Sequence, residues 1–349
     1  MKTKTKKQEV LETFINPQTK AFILSKFRTG KNARSGDMDA TGRSYSTAIK
    51  MLEDFIKEEK GFTDEKLKDY SFFDLSFADL ESFSYYLNAV RGNSPSTHNH
   101  RMTIVSAFIT YLLNRYHDNM TDAEEVRLER LKKNIKKDLR QDEPTVETPF
   151  FTAEEIGKLH RYILTISNPN KRKRLLAMFL LYRDTADRKD EVRNFVLSDI
   201  HFSDIEGHSY AITPYKNKTL TEKKHYLKED TVKALKDYLE IRNPKNANEQ
   251  SIFLSNFRTP ITSNATYDML KNLFIRAGFG YIDDEGNEKT KYVVHSLRHS
   301  SITETCRLEG IHAAKIKAGH SSITMTQNYS HTTDEDRRQT ATLAFEYTV

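Results

Sequence analysis

The helical pattern of this chain is interrupted between Gln141 and Pro149, and this interruption favours a fold of two separate domains. The segment QDEPTVETP has two prolines and no helical period, as an exposed linker requires. Beyond it, Thr152–Glu155 has the capping-box pattern that begins a helix. A chain of 349 residues is also long enough for two domains of roughly 150 residues each. We predict an N-terminal basic extension over residues 1–40, a helical domain over 41–140, a linker over 141–150 and a second domain over 151–349.

The first of these domains has the apolar periodicity of a small helical bundle. Apolar residues recur at helical spacing from Tyr45 onward, and a second helix is predicted over Ala78–Val90. A third helix is predicted to begin at Ser94, an N-cap residue that Pro95 follows at the first helical position.

The second domain is predicted to combine helices with a few strands. Leu175–Tyr182 is almost entirely apolar, which indicates a buried helix. Tyr210–Thr213 and His225–Leu227 have strand-like patterns on either side of a polar segment rich in Lys, Asn and Thr. Everything after about Val293 has the pattern of short helices. The predicted fold class is therefore mainly α with a small antiparallel β-sheet.

Composition narrows the partners and the compartment. The formal net charge of +6 and the pI of about 9.0 suggest a polyanionic partner, although a basic surface that only serves solubility gives the same numbers. Cys306 is the only cysteine, which excludes an internal disulfide and fits a reducing cytoplasm. The basic N-terminus lacks the apolar stretch of a signal peptide, and the longest apolar run is far shorter than the ~20 residues that span a bilayer.

The last quarter of the chain concentrates side chains that suit phosphate chemistry. His295, Arg298 and His299 are three and four residues apart, so a helix places them on one face. His320 follows a glycine at a predicted helix boundary, and Tyr329 closes a short predicted helix. A planar guanidinium and an imidazole on a rigid face could stabilise charge that develops on phosphate oxygens. A phenol close to them could act as a nucleophile.

Two further cationic groups are candidates upstream. Arg188 follows the predicted buried helix, and Glu191 could hold its guanidinium in place; an ordinary surface salt bridge between the two is the alternative. The polar segment between the predicted strands contains several lysines. Lys218 or Lys216 could act there as a general acid, and we favour Lys218 because it directly precedes the predicted turn.

A metal site is the competing interpretation of the histidines. His295 and His299 could form a ligand pair, with His320 or His331 as a third ligand. However, no acidic residue lies between the pair, where the metalloprotease motif has its glutamate. We therefore predict no metal and no other cofactor, and we assign His299 a supporting role.

Taken together, these motifs resemble those of the tyrosine recombinases, also called the phage integrase family. The resemblance rests on TADRKDE around Arg188, HSLRH at 295–299, AGH at 318–320 and TQNYSH at 326–331, in that order. The combination of HSLRH with AGHSSITMTQNYSH is highly specific. The match is weaker in the first domain, where the helix start at Ser94 resembles that of the family's core-binding domain.

The resemblance implies a site-specific DNA recombinase, such as the integrase of a phage or mobile element, whose two domains form a C-shaped clamp on duplex DNA. Tyr329 would attack the scissile phosphate to give a 3′-phosphotyrosyl link, so that rejoining needs neither ATP nor a metal. The other implied catalytic groups are Arg188 and Arg298 as ligands of the phosphate oxygens, His295 and His320 around the transition state, and Lys218 as general acid for the 5′ oxygen.

The resemblance also implies the partners. They are a duplex recombination site, three further copies of the chain in a tetramer on DNA, and in some relatives an accessory directionality factor; the location would be the nucleoid of a bacterial or phage-infected cell. Thr97, Asn99 and Arg101 would contact DNA, with ordinary helix-surface roles as the alternative. The apolar tail after Thr332 would dock on a neighbouring subunit or on its own domain. Rival functions are a type IB topoisomerase and a DNA-binding protein that has lost the chemistry.

This sequence departs from the family pattern beside its first arginine. The family usually has Gly-Leu there, whereas this chain has Ala186-Asp187. A carboxylate that points into a phosphate site without a partner is costly. We therefore predict that Asp187 faces solvent or pairs with a cation such as Arg183 or Lys189.

Overall fold

The computed structural model describes residues 5–29, 40–143, 148–213, 223–327 and 329. The chain divides into two compact units, Met1–Thr145 and Val146–Val349, and their boundary falls within the predicted linker. The lysines at 216 and 218, His331 and the tail after Thr332 lie outside the described residues.

The described residues of the first unit form helices and the loops that connect them, without a strand. Its longest helix begins as the sequence predicts, because Ser94 Oγ accepts a hydrogen bond from the Thr97 N–H and Pro95 occupies the first helical position. The ring of Phe108 in this helix packs against Phe22 and Phe72, each with a centroid distance of 5.3 Å. The helices are α1 (Lys6–Glu12), α2 (Pro17–Thr29), α3 (Ala40–Glu59), α4 (Asp64–Asp69), α5 (Phe77–Tyr85), α6 (Pro95–Arg115) and α7 (Asp122–Lys137).

The predicted extension over residues 1–40 is wrong for residues 5–29. Helix α2 buries Phe22 and Ile23 completely in the core of the first unit. The buried carboxylate of Glu53 in α3 accepts a hydrogen bond from the Ile15 N–H at 2.7 Å, which fixes the turn before α2. The many polar residues of this segment concealed a short apolar face, which is sufficient to dock the helix.

The second unit combines helices with a small antiparallel sheet, so the predicted fold class is confirmed. Its three-stranded sheet has the order β1-β2-β3, with Ala211 opposite both Ile200 and His225. The helices are α8 (Ala153–Leu164), α9 (Pro169–Thr185), α10 (Lys189–Arg193), α11 (Glu229–Ile241), α12 (Ser263–Phe274), α13 (Val294–Ala318) and α14 (Thr324–Gln327). The strands are β1 (Ile200–His201), β2 (Tyr210–Ile212), β3 (Lys224–Tyr226), β4 (Tyr281–Ile282) and β5 (Glu288–Lys289).

Helix α9 forms the centre of the second unit. It packs against α8, α11 and α13, and its residues 177–182 are buried, as predicted. The helix ends at Ala186, which adopts a left-handed conformation (φ 50°, ψ 25°) and turns the chain toward Arg188. Among the described residues, no helix has the length and apolar character that crossing a membrane requires.

The burial of Phe22 gives a test of the corrected boundary. Phe22→Ala should lower the free energy of unfolding of the first unit by about 3–5 kcal/mol, because it leaves a cavity among aromatic rings. Chemical denaturation of the full chain measures this loss. Lys20→Ala on the exposed face of the same helix is the matched control and should change stability by less than about 0.5 kcal/mol. If the two variants were equally stable, residues 5–29 would be an extension and not part of the core of the first unit.

Candidate active site

Helix α13 carries three of the predicted site residues. His295, Arg298 and His299 all lie in its first part, as their spacing predicts. The helical path breaks at Gly310 (φ 86°, ψ 170°), and the second part ends at Gly319, whose φ of 64° is left-handed. The chain therefore turns sharply just before His320.

Arg298 is the largest fully buried side chain among the residues that the structure describes. Its Nη1 donates to the carbonyl oxygen of Ala186, and its Nη2 donates to the carbonyl oxygen of Ala318 at 2.8 Å. The same Nη2 lies 3.2 Å from Nε2 of His320. The Nε–H group is buried and has no hydrogen-bond partner within the described part of the chain.

His320 is held in one tautomer by its two partners. An arginine N–H can only donate, so Nε2 of His320 accepts from Arg298, and Nδ1–H donates to Thr326 Oγ1 at 2.9 Å. Burial and the charges of Arg298 and Arg188 lower the pKa of His320 to about 4. Burial and the same two arginines also lower the pKa of His295. Both imidazoles are therefore neutral at pH 7.

Tyr329 lies against this cluster. Its side chain is 9% exposed, and its ring centroid is 4.4 Å from that of His299 and 5.6 Å from that of His320. The ring of His299 also stacks on Phe150, with a centroid distance of 5.6 Å. Tyr329 also belongs to a small apolar cluster that contains Ala186 and Ala318. The ring of His299 is thus in contact with the phenol ring of Tyr329, and its supporting role stays a prediction.

Arg188 is oriented by Glu191. The Arg188 backbone N–H donates to Glu191 Oε2 at 2.8 Å, and Nη1 donates to Oε1 at 3.2 Å. The guanidinium is a third exposed, and its charge is close enough to lower the pKa values of His295, Arg298 and His320. The structure therefore brings both predicted arginines, both histidines and the tyrosine into one region, whereas Lys218 is outside the described residues.

Asp187 pairs with a cation, as predicted, but the cation is neither Arg183 nor Lys189. Asp187 is fully buried, and its partner is Lys223, with Nζ 2.7 Å from Oδ1, while Thr213 Oγ1 donates to Oδ2 at 2.6 Å. Arg183 instead pairs with Asp184 and Asp230. Burial alone would raise the pKa of Asp187, but the hydrogen bonds and charges of His225 and Lys223 outweigh it and hold this pKa below the ordinary value.

The formal charges of the region leave an excess of cations. Arg188, Arg298 and Lys223 carry three positive charges, and Asp187 and Glu191 carry two negative charges, so these five groups sum to +1. Lys223 and Arg188 have carboxylate partners, whereas the guanidinium of Arg298 contacts carbonyl oxygens and an imidazole. An anion that reached Arg298 would balance the remaining charge.

The competing metal interpretation finds no support in the geometry. Within the described ranges, no three His, Cys, Asp or Glu side chains converge as a metal site needs.

The three predicted DNA contacts of the first unit have different environments. Thr97 is exposed and Arg101 is half-buried on α6. Asn99 is buried, and its amide nitrogen donates to the Gln141 carbonyl at 2.9 Å and to Glu143 Oε1 at 2.8 Å. Asn99 Oδ1 in turn accepts from the Gln141 N–H at 2.9 Å. Its side chain therefore holds the chain after α7.

Comparisons with known proteins identify the class to which this fold and site belong. A sequence model described as the phage integrase family matches residues 149–336, which is more than half of the chain. The chain belongs to this family, the tyrosine recombinases, and is an enzyme that cleaves and rejoins DNA strands. A curated relative, the tyrosine recombinase XerC of Caldanaerobacter subterraneus subsp. tengcongensis, is 25% identical over 96% of this chain and 89% of its own length.

Solved structures of low sequence identity share the fold. The site-specific recombinase XerH, solved bound to its palindromic difH substrate, aligns with a TM-score of 0.68 at 15% identity, over 98% of each chain. The Tn1549 transposon integrase, solved with circular intermediate DNA, aligns with a TM-score of 0.59 at 16% identity, over 92% of this chain and 98% of its own.

The lowered pKa of His320 predicts how stability depends on pH. The pKa is about 4 in the folded chain and ordinarily 6.5, so the unfolded chain binds more protons between these values. The contribution of His320 to the free energy of unfolding is therefore complete above pH 6.5 and is lost as the pH falls toward 4. Denaturation at pH 7.5, 6.0 and 5.0 should show a smaller loss of stability for His320→Gln than for the unchanged chain. Equal losses would show that the imidazole titrates normally.

Proposed function

We propose that this enzyme is a site-specific recombinase that cuts and rejoins duplex DNA through a 3′-phosphotyrosyl intermediate on Tyr329. The observation that carries the proposal is the position of the phenol ring against the rings of His299 and His320, of which His320 contacts the buried Arg298. A nucleophile beside an uncompensated guanidinium suits attack on a phosphate.

The chemistry follows from the groups in the region. The phenolic oxygen of Tyr329 bonds to phosphorus as the bond to the 5′ oxygen breaks, and the neutral imidazole of His295 is able to accept the phenolic proton. Arg188 and Arg298 hold the non-bridging oxygens, where charge accumulates. Lys218 protonates the departing 5′ oxygen in this proposal. The phosphotyrosyl bond conserves the energy of the broken phosphodiester, so a 5′ hydroxyl can reverse the step without ATP.

The polyanionic partner is a duplex recombination site. Its support is the excess positive charge of the region and the DNA that is bound in the solved structures of XerH and the Tn1549 integrase. In the first unit, Thr97 and Arg101 remain proposed contacts. Burial and the nearby charge of Arg91 lower the pKa of Arg101, and a backbone phosphate would relieve that repulsion. Movement of a phage or mobile element is the proposed biological role, in line with the similarity to transposon and lambda integrases.

Trapping of the covalent adduct tests the proposed nucleophile. The enzyme is incubated in EDTA with a library of nicked duplexes of random sequence, and SDS-resistant adducts are isolated and sequenced. The unchanged enzyme should capture a defined sequence, and Tyr329→Phe should capture none while it still binds that duplex. Tyr226→Phe, an exposed tyrosine of the same unit, is the matched control and should react normally. An adduct with Tyr329→Phe, or a strict requirement for Mg²⁺, would refute the proposed chemistry.

We further propose that the enzyme assembles as a tetramer on DNA, as a solved lambda integrase does on a Holliday junction. The apolar tail of residues 341–349 would contribute to assembly through a neighbouring subunit. Deletion of these residues should impair pairing of two sites more than binding of one site, measured by native gel shift with one and two duplexes. Equal loss of both activities would favour docking of the tail on its own domain.

A further inference from the structure

Lys223 is a buried lysine that the proposed chemistry does not use. Its side chain is 8% exposed, and its Nζ lies 2.7 Å from Asp187 Oδ1 and 3.7 Å from Glu191 Oε2. Lys223 directly precedes strand β3, and buried and exposed side chains alternate from Lys223 to Leu227. The neighbouring Lys224 therefore points outward, with its Nζ 3.8 Å from the ring centroid of Tyr210. The two adjacent lysines therefore have different environments.

Lys223 shares a carboxylate with a proposed phosphate ligand. Glu191 Oε1 accepts a hydrogen bond from the guanidinium of Arg188, and Oε2 accepts one from the backbone N–H of Arg188. Oε2 also faces the Lys223 ammonium. Both oxygens of Glu191 are thus engaged by cations or by a backbone donor. The carboxylate cannot turn without weakening one of these contacts, so the ammonium helps to fix the guanidinium.

The stem of Lys223 also reaches the turn before His320. A Cβ atom added to Gly319 would lie 2.5 Å from Lys223 Cδ, and the left-handed φ of Gly319 excludes most other residues there independently. One side chain therefore contacts two segments, each of which delivers a group of the candidate active site.

We infer that Lys223 is a positioning residue for strand cleavage, which acts through Glu191 on Arg188 and through Gly319 on the turn that carries His320. This inference rests on the proposed function. The ammonium itself is engaged by the carboxylates of Asp187 and Glu191, so it does not serve as the phosphate ligand. The inference also gives a reason for Asp187, which supplies the buried charge that keeps Lys223 in this position.

A purely stabilising ion pair is the competing explanation. Buried ion pairs contribute little net stability, because desolvation offsets their attraction, and apolar pairs of similar volume often replace them without loss. The double variant Asp187→Leu with Lys223→Met removes both charges and leaves an apolar pair. The double variant leaves Thr213 without its acceptor, but it should recover most of the stability that Lys223→Met alone loses, because the single variant leaves the charge of Asp187 buried without its cation.

The rate of adduct formation on the duplex captured above separates the two explanations. Lys223→Met should react about 10- to 100-fold more slowly, since small displacements of positioned groups have effects of this size. The double variant should remain slow despite its recovered stability. Lys224→Met is the matched control and should react at the normal rate. Recovery of the rate in the double variant would overturn the inference.

A double-mutant cycle tests the route through Arg188. Arg188→Lys keeps a cation but loses the hydrogen bond from the guanidinium Nη1 to Glu191 Oε1. If Lys223 acts through this contact, Lys223→Met should slow Arg188→Lys much less than it slows the unchanged enzyme. If Lys223→Met slowed adduct formation by the same factor in both backgrounds, the proposed route through Arg188 would be contradicted. In the Tyr329→Phe background, Lys223→Met should leave DNA affinity unchanged, and a large loss of affinity would instead assign Lys223 to direct DNA contact.

A substrate with sulfur in place of the 5′ bridging oxygen addresses the remaining alternative. A thiolate leaves without the proton that an alkoxide requires, so such a substrate rescues the loss of a general acid. We expect no selective rescue of Lys223→Met, and rescue would make Lys223 the acid instead of a positioning residue. Absence of any adduct with the unchanged enzyme would refute the proposed function, whereas the outcomes above concern Lys223 alone.

Discussion

The structure of the second unit depends on the buried guanidinium of Arg298. Two of its acceptors are backbone carbonyls at the ends of helices, Ala186 after α9 and Ala318 at the end of α13. The last carbonyls of a helix have no partner within it and carry partial negative charge, so they suit a cation that has no carboxylate. Because Ala186 precedes the segment of Arg188, and Ala318 precedes the turn of His320, the contacts that bury Arg298 also assemble the site.

Charge explains why the histidines are neutral and why a carboxylate is tolerated near them. Arg188 and Arg298 make a protonated imidazole unfavourable, which lowers the pKa of His320 to about 4. The same cations would repel one another without counter-charges. Asp187 and Glu191 supply these charges, with Lys223 between them, and so reduce the repulsion without neutralising Arg298. The residue that departs from the family pattern is thus part of the electrostatic balance.

The sequence was informative where spacing alone determines neighbours. The intervals among His295, Arg298 and His299 place them on one helix face, and the family motifs indicated the class of enzyme. It was less informative for contacts between distant segments, since nothing local links Asp187 to Lys223. The strand-like pattern at His225–Leu227 did not include Lys223, and two adjacent lysines do not show in the sequence which of them points inward. The docking of α2 was missed because its polar residues outnumber the apolar ones that pack.

The unequal pairing of the cations indicates where a phosphate would bind. Arg188 and Lys223 have carboxylates within 3.2 Å and 2.7 Å, respectively, and can remain charged without a ligand. Arg298 has only dipolar partners, its Nε–H is unpaired among the described residues, and burial lowers its pKa. A phosphate oxygen at Arg298 would therefore gain a charge-assisted hydrogen bond and remove the cost of a buried unpaired donor. Since Tyr329 lies against the histidine that contacts Arg298, the strongest attraction for the phosphate is beside the proposed nucleophile.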